Sequence, residues 1–263
     1  MVSVVCLLAI IAGQVKAAEL QAPTVGEPNG LGKMWKSFEE DRGKMQDRIL
    51  VDAKDTFWNV PNAAALGLAG VGTAVLQRNY DDKINHHFET TGNLPKYVED
   101  PMYIIGNPGT QFGITGLWYG IAAANGDELN RQRAVTMISA LAITGAATMS
   151  LKWAANNDCP NGAEYGWPSG HTSSTVCFAA VLDEFYGPEV GIPAYLFAGF
   201  MGYRMMDAGD HWASDVLFGA VLGYVVGHTV AGKNKKIEVA GFHMVPYSGN
   251  DGTAMGLGLA KQF

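Results

Sequence analysis

Six stretches of this 263-residue chain carry few charges and run on past the length of a strand: residues 62–76, 111–124, 133–153, 171–185, 192–206 and 211–231. None shows the period-two alternation of a half-buried strand, so helix is the reading that fits each of them. Glycine and proline fall between the runs, as in Gly106-Asn107-Pro108-Gly109, and Pro61 stands ahead of the first run, where a first-turn proline belongs. The pattern predicts an all-α fold, a helical bundle of about six core helices with short connections. Glycine numbers 33, roughly twice its usual share, which points to helices that approach closely rather than to disorder. Residues 31–56 are different: charged and amphipathic, they read as a surface helix or two.

Apolar content of this kind serves either a protein core or a bilayer. Most uninterrupted apolar stretches run about 14 to 17 residues, near or below the spanning length of about 20, with 135–151 and 216–226 coming closest. Mean hydropathy is +0.05, low for a chain that crosses a membrane many times. The expectation is therefore a soluble or membrane-associated bundle. Lys and Arg number 18 against 25 Asp and Glu, a net charge of −7, which argues against a nucleic-acid partner.

The two ends read as separate segments. An apolar run from Val2 to Gly13, followed by Gln14-Val15-Lys16-Ala17-Ala18, has the form of a signal peptide cleaved near Ala17 or Ala18, although it lacks a basic start. An N-terminal membrane anchor is the alternative, and Cys6, inside the run, is poorly placed for lipidation. Export would put the chain in the periplasm or at the cell envelope, an oxidising setting in which Cys159 and Cys177 could pair. At the other end, Ser248-Gly249-Asn250-Asp251-Gly252 has turn chemistry. It separates 237–245 from 254–263, where Met255, Leu257, Leu259, Lys261 and Phe263 alternate. This predicts a short C-terminal β-hairpin packed on the main domain. The expected organisation is a signal peptide over 1–18, an N-terminal amphipathic helical segment over 19–60, the bundle over 61–232 and the hairpin tail over 233–263.

Three patches place polar groups where a helical core should be apolar. The first is Lys152, near the end of a long uncharged helix; a cation facing the helix dipole is its plain explanation. The second is Gly166-Trp167-Pro168-Ser169-Gly170-His171. Ser169 can cap the next helix, Gly170 lets a ligand near the backbone, and free N–H groups at a helix start receive an anion such as phosphate. His171 at that mouth can donate a proton. The third is Asp210-His211-Trp212-Ala213-Ser214-Asp215, in which His211 and Asp215 are four apart and share a face if the segment is helical. A carboxylate bonded to one imidazole nitrogen leaves the other free to attack.

A lysine, then Pro-Ser-Gly-His, then His-Trp-Ala-Ser-Asp-Val, in this order, resembles the type-2 phosphatidic acid phosphatase and vanadium haloperoxidase superfamily over residues 111–230. The resemblance implies a helical bundle that hydrolyses phosphomonoesters through a phosphohistidine, with no metal or other cofactor in the phosphatases. It would make His211 the nucleophile, Asp215 its orienting partner and His171 the acid for the leaving oxygen. Lys152, the backbone at Ser169 and Gly170, and Arg204 would hold the phosphate. The substrate would be a lipid phosphate or a small soluble one.

Two departures accompany the match. Where the first motif calls for an arginine before proline, this chain has Cys159-Pro160, and where the third calls for one, it has Met205, with Arg204 one residue early. A one-residue shift swings a helical side chain by about 100°. Each charged hydrogen bond is worth about 1.5–3 kcal/mol, so losing a guanidinium would slow the reaction by about ten- to several-hundred-fold. Arg131 and Arg133 would substitute only if their segment folded over the site. Cys159 reads as a small loop residue, a low-pKa thiol beside Lys152, or a partner of Cys177. His86, His87, His228 and His243 read as solvated. Two further functions stay open, a non-catalytic relative that binds a phosphate or lipid headgroup, and a vanadate-dependent haloperoxidase.

Overall fold

A computed structural model describes residues 30–91 and 94–234, together with the backbone of 237–239, 242–248 and 255–260. Among these residues the order is α1 (Gly30–Phe57), α2 (Val60–Asn79), α3 (Asp81–Thr91), α4 (Lys96–Gly106), α5 (Pro108–Asn125), α6 (Glu128–Ala155), α7 (Gly170–Tyr186), α8 (Pro188–Asp207) and α9 (Ala213–Asn234). The segment read as a signal peptide, Cys6 with it, lies outside the described residues. The weakly charged runs fall within α2, α5, α6, α7, α8 and α9, except that the last helix starts at Ala213 and leaves His211 and Trp212 in the turn before it. The chain's end forms strands β1 (Ile237–Val239), β2 (Phe242–Ser248) and β3 (Met255–Ala260), antiparallel in that order. The first of the two runs read as a hairpin is thus divided between two strands. The turn at 249–252 and the side chains of 255–263 lie outside what is described.

Helix α7 is the centre of the bundle, flanked by α6, α8 and α9, and much of it is buried. Its contact with α9 depends on glycine. A Cβ at Gly223 would sit 2.1 Å from the Ser173 carbonyl oxygen, one at Gly227 2.6 Å from that of Cys177, and one at Gly219 2.7 Å from that of Ser169. Three glycines four residues apart therefore clear a groove along α9 into which the α7 backbone fits, the small-residue packing that brings helices closest. Polar side chains in the core pair between helices. Thr148 Oγ1 and Ser173 Oγ are 3.0 Å apart, and Gln111 Nε2 donates to Thr175 Oγ1 at 3.0 Å.

Caps fix where the helices begin and end. Asp127 accepts from the Asn130 N–H at the start of α6, and Asn156, at φ +44°, ends that helix in the left-handed conformation that asparagine tolerates. Lys152 is thereby left in the last turn.

The single helix α1 lies across the end of the bundle where α6 begins and α9 finishes. Two buried ionic clusters hold it there. Asp41 accepts from Arg131 and from the Tyr119 hydroxyl, and Asp52 accepts from Ser139 Oγ at 2.9 Å and from Lys233 Nζ at 3.2 Å. Its inward face sets these acids beside Ile49, Ala53 and Phe57, which pack on the core, while Leu31, Trp35, Phe38, Leu50 and Val51 point outward. Arg131 is engaged in that cluster and Arg133 lies over the rings of Phe185 and Tyr186. Neither arginine reaches the other end of the bundle to replace a missing cation.

The expectation drawn from short apolar stretches needs correction. Three helices, Val60–Asn79, Glu128–Ala155 and Ala213–Lys233, are long and apolar enough to cross a membrane, at 20, 28 and 21 residues. Counting apolar residues alone underestimates them, because the helices continue through polar residues at their ends, such as Gln77 to Asn79 on α2 and Glu128 to Gln132 on α6. The outward faces carry Leu68, Val71 and Val75 on α2, Phe112, Leu117 and Ile121 on α5, and Ile192, Leu196 and Phe200 on α8.

Candidate active site

The residues singled out in the sequence gather at the bundle end opposite α1, where α6 finishes and α7 and α9 begin. Ser169 caps α7: its side chain accepts from the Thr172 N–H, leaving the N–H groups of Gly170 and His171 to open the helix. The Ser169 N–H itself donates to the Asp215 carbonyl oxygen at 3.0 Å. This corrects the expectation that its backbone receives phosphate; Ser169 ties the starts of α7 and α9 together instead.

His211 and Asp215 meet without sharing a helix. Asp215 stands in the first turn of α9, and its Oδ2 accepts the Trp212 N–H at 3.0 Å, half of a capping box. The same oxygen lies 3.4 Å from His211 Nδ1, while the His211 and Asp210 N–H groups both donate to the Met205 carbonyl. Nδ1 is thus engaged, and Nε2 is the nitrogen open to chemistry. Asp215 is 0% exposed, and its Oδ1 has no partner among the described residues.

His171 is the second histidine. Its Nε2 is buried without a hydrogen-bond partner among the described residues, and its ring packs against Tyr103, 4.9 Å between centroids. Burial, and then the charges of His211, Arg204 and Lys152, push its pKa down to about 4, against a smaller opposing effect of Asp210. Such mutual influence places these groups around one space.

Lys152 braces the loop that leads into α7. Its Nζ donates to the carbonyls of Tyr165 and, at 3.0 Å, Gly166, leaving one of three protons for a ligand. Asn157 supports the same loop by accepting from the Trp167 N–H through Oδ1 and from the Gly166 N–H through its carbonyl. Cys159 and Cys177 are both buried free thiols, so no bridge joins them. Burial raises the Cys159 pKa to about 11, with Asp215 adding to the rise and Lys152 opposing it, the reverse of a reactive low-pKa thiol. Its Sγ packs against Gly166, where an added Cβ would stand 3.2 Å away.

Arg204 does reach the site despite its shifted register. Its Nη1 donates to Asp210 and its Nη2 to Glu99 Oε1 at 2.9 Å, while Nε is buried without a partner among the described residues. Met205, where the motif calls for arginine, is fully buried. Among the described residues, no three His, Cys, Asp or Glu side chains gather as a metal site.

Three contributors escaped sequence reading. Asp81, beside Asp82 and Lys83 in the sequence, is buried: its carboxylate accepts both the Ser214 N–H, at 3.1 Å, and the Ser214 hydroxyl, at 2.6 Å, pinning the start of α9. Its neighbours His86 and His87 are exposed as expected. Glu99 and Tyr103 come from α4, a helix the sequence did not announce, though their four-residue spacing puts them on one face. His228 is half exposed and pairs with Glu184 at 2.6 Å, and the His243 side chain lies outside what is described.

The sequence model of the PAP2 superfamily matches residues 133–236, the span from α6 to the end of α9 that holds both histidines, Lys152 and Asp215. Residues 133–236 belong to the PAP2 superfamily. A curated relative, the lipid A 1-phosphatase of Porphyromonas gingivalis, is 28% identical over 163 residues, covering 60% of this chain and 35% of the relative. The chain thus spans about a third of the length of that relative. The crystal structure of the first transmembrane PAP2 type phosphatidylglycerolphosphate phosphatase, from Bacillus subtilis, aligns with 78% of this chain and 98% of its own at 17% identity and a TM-score of 0.39.

Proposed function

We propose that this PAP2 member is a phosphatase that hydrolyses a phosphomonoester of a membrane lipid. The observation that carries the reading is the convergence of buried polar atoms without partners. Among the described residues, His171 Nε2, Asp215 Oδ1 and Arg204 Nε lack a hydrogen bond, and the opening turn of α7 adds N–H groups. Orphaned buried polar atoms cost about 1–3 kcal/mol each, so several in one place describe a site built for a polar ligand. Free N–H groups at a helix start, with a lysine and an arginine beside them, suit an oxyanion.

The chemistry follows from the two histidines. His211, oriented by Asp215 through Nδ1, attacks phosphorus with the Nε2 lone pair; the P–N bond forms as the P–O bond to the lipid breaks. His171, protonated once the phosphate's negative charge lies beside it, gives its proton to the departing oxygen. Water then attacks the phosphohistidine, returns a proton to His171 and releases phosphate. Lys152, Arg204 and the N–H groups of Gly170 and His171 stabilise the charge on the equatorial oxygens.

A lipid substrate is favoured by the apolar outward faces of α2, α5 and α8, by the three helices of spanning length, and by the name of the curated relative. In a bilayer the catalytic end would lie at headgroup level, where Tyr97, Tyr103, Trp153 and Tyr165 are exposed, as aromatic residues at an interface are. Export of the site is proposed on charge. The α1 end of the bundle gathers Lys33, Lys36, Arg42, Lys44, Arg48, Lys54, Arg131, Arg133 and Lys233, whereas the catalytic end has Arg78, Lys83, Lys96, Lys152 and Arg204. Excess cations mark the cytoplasmic side, leaving the site on the outer face.

The test is a screen of purified protein against lipid and soluble phosphomonoesters, with His211→Ala alongside. Release of phosphate by the wild type, its loss in His211→Ala, and acid-labile labelling of the enzyme are expected. Turnover retained by His211→Ala, or label stable to acid, would refute the mechanism; turnover of soluble esters alone would refute the lipid substrate.

A further inference from the structure

Arg204 stands one residue from the place where the motif has its arginine, yet its guanidinium belongs to the site. The α8 register does not account for this, since the Met205 side chain takes the fully buried position and Arg204 lies about 100° round the helix from it. What holds Arg204 comes largely from α4. Glu99 accepts from Nη2 at 2.9 Å, and the guanidinium carbon stands 4.9 Å from the centre of the Tyr103 ring. Tyr103 is in turn packed on His171, 4.9 Å between ring centres. Asp210, from the turn before His211, takes Nη1. Between them these groups engage both Nη atoms and leave Nε, buried and without a partner among the described residues, as a donor for a ligand.

We propose that Glu99 and Tyr103 are positioning residues of the phosphate site, holding the Arg204 guanidinium beside His171 and so restoring a cation that the Met205 substitution removes. The inference rests on the phosphatase reading. Glu99 fixes the plane of the guanidinium through a charge-assisted bond. Tyr103 supports it by a cation–π contact and at the same time sets the His171 ring. One helix thereby couples the oxyanion-binding cation to the proton donor. Glu99 and Tyr103 touch no reacting atom; they act through Arg204 and His171.

The experiment uses the full chain in detergent, with p-nitrophenyl phosphate for turnover and orthovanadate as the oxyanion probe. Glu99→Ala is expected to weaken vanadate inhibition and raise KM by about tenfold, with a smaller change in kcat, the effect of losing one charge-assisted bond. Glu99→Gln, which keeps an accepting oxygen, should recover part of that loss. In an Arg204→Lys background Glu99→Ala should change little, because the group it positions is gone; this coupling separates positioning from general support of the fold. Tyr103→Phe should resemble the wild type, and Tyr103→Ala should alter both vanadate affinity and the acid limb of the pH profile. Equal losses in the two backgrounds would overturn the proposal, as would tighter vanadate binding by Glu99→Ala, which would make Glu99 a competitor of the oxyanion. Wild-type protein that neither turns over ester nor binds vanadate would bring down the phosphatase reading and this inference together. An active wild type with additive variants would bring down this inference alone.

Discussion

His171 is the residue whose environment is most at odds with its proposed task. Burial and the nearby charges of His211, Arg204 and Lys152 hold its pKa at about 4, so the empty site keeps it neutral near pH 7. A phosphate dianion reverses the sign of its surroundings. Oxyanion binding is therefore expected to take up a proton, and affinity for vanadate to strengthen as pH falls from about 6.5 toward 4. Calorimetry in buffers of different ionisation enthalpy measures that uptake, and His171→Gln should abolish it. The same shift bears on stability. The folded-state pKa lies below the unfolded value of about 6.5, so folding releases a proton between the two. Stability contributed by neutral His171 is complete above pH 6.5 and is lost as pH falls toward 4, by at most about 3 kcal/mol. Urea midpoints should drop across that window in the wild type and less in His171→Gln. Cys159, with its pKa raised to about 11, is expected to resist alkylation at pH 8 in the folded protein and to react only on unfolding.

At the scale of elements, the site depends on how α7 and α9 start. Ser169 and Asp215 join the two starts through one backbone bond, Gly219 lies against the Ser169 carbonyl, and Asp81 grips Ser214 from α3. Asp81→Ala would strand the buried Ser214 N–H and remove two bonds to a carboxylate. Destabilisation by about 2–4 kcal/mol is expected, together with lower kcat as His211 and Asp215 lose their fixed spacing. Thermal melts and kinetics on p-nitrophenyl phosphate check both, and Asp81→Asn should fall between. Gly223→Ala should be worse, because its Cβ would meet Ser173 backbone 2.1 Å away and force the helices apart. Loss of folded protein is the expected outcome, against near-normal yield for Gly67→Ala, where a Cβ meets nothing within 4 Å.

These elements also show what the sequence could reveal. His211, Asp215, Lys152 and Ser169-Gly170-His171 were legible because their chemistry is packed into short motifs. The reach of Arg204 was not, because it depends on Glu99, which is 105 residues away, and no local pattern predicts that meeting. Asp81 was missed for a related reason: next to Asp82 and Lys83 it looks solvated, and only its contact with Ser214, 133 residues on, buries it. The lengths of α2 and α6 were underestimated because both helices continue through polar residues at their ends, Gln77 to Asn79 and Glu128 to Gln132, where a run of uncharged residues stops.

For the whole molecule, the decisive question is what covers the outward apolar faces. Helix α2 runs from the α1 end, where Asn62 bonds Thr229, to the catalytic end, where Thr73 bonds the Ser214 carbonyl. Its 20 residues rise about 30 Å, the thickness of a hydrocarbon core. Leu68 is 73% exposed midway along it, with no charged side chain between Asp55 and Arg78. Leu68→Lys separates the two environments cleanly. In water an exposed lysine is harmless, within about 0.5 kcal/mol. In lipid a cation at the centre of a helix costs about 2.5–3.5 kcal/mol, because neither a partner nor water is within reach. The expected outcome is a sharp fall in membrane-inserted, detergent-extractable protein for Leu68→Lys, with Leu68→Ile close to wild type. Arg78→Ala, at the catalytic end of the same helix, should be much milder, since that position lies at headgroup level. Equal yields of soluble, folded protein for wild type and Leu68→Lys without detergent would instead place the bundle in water, and the phosphate site would then face soluble esters rather than lipid.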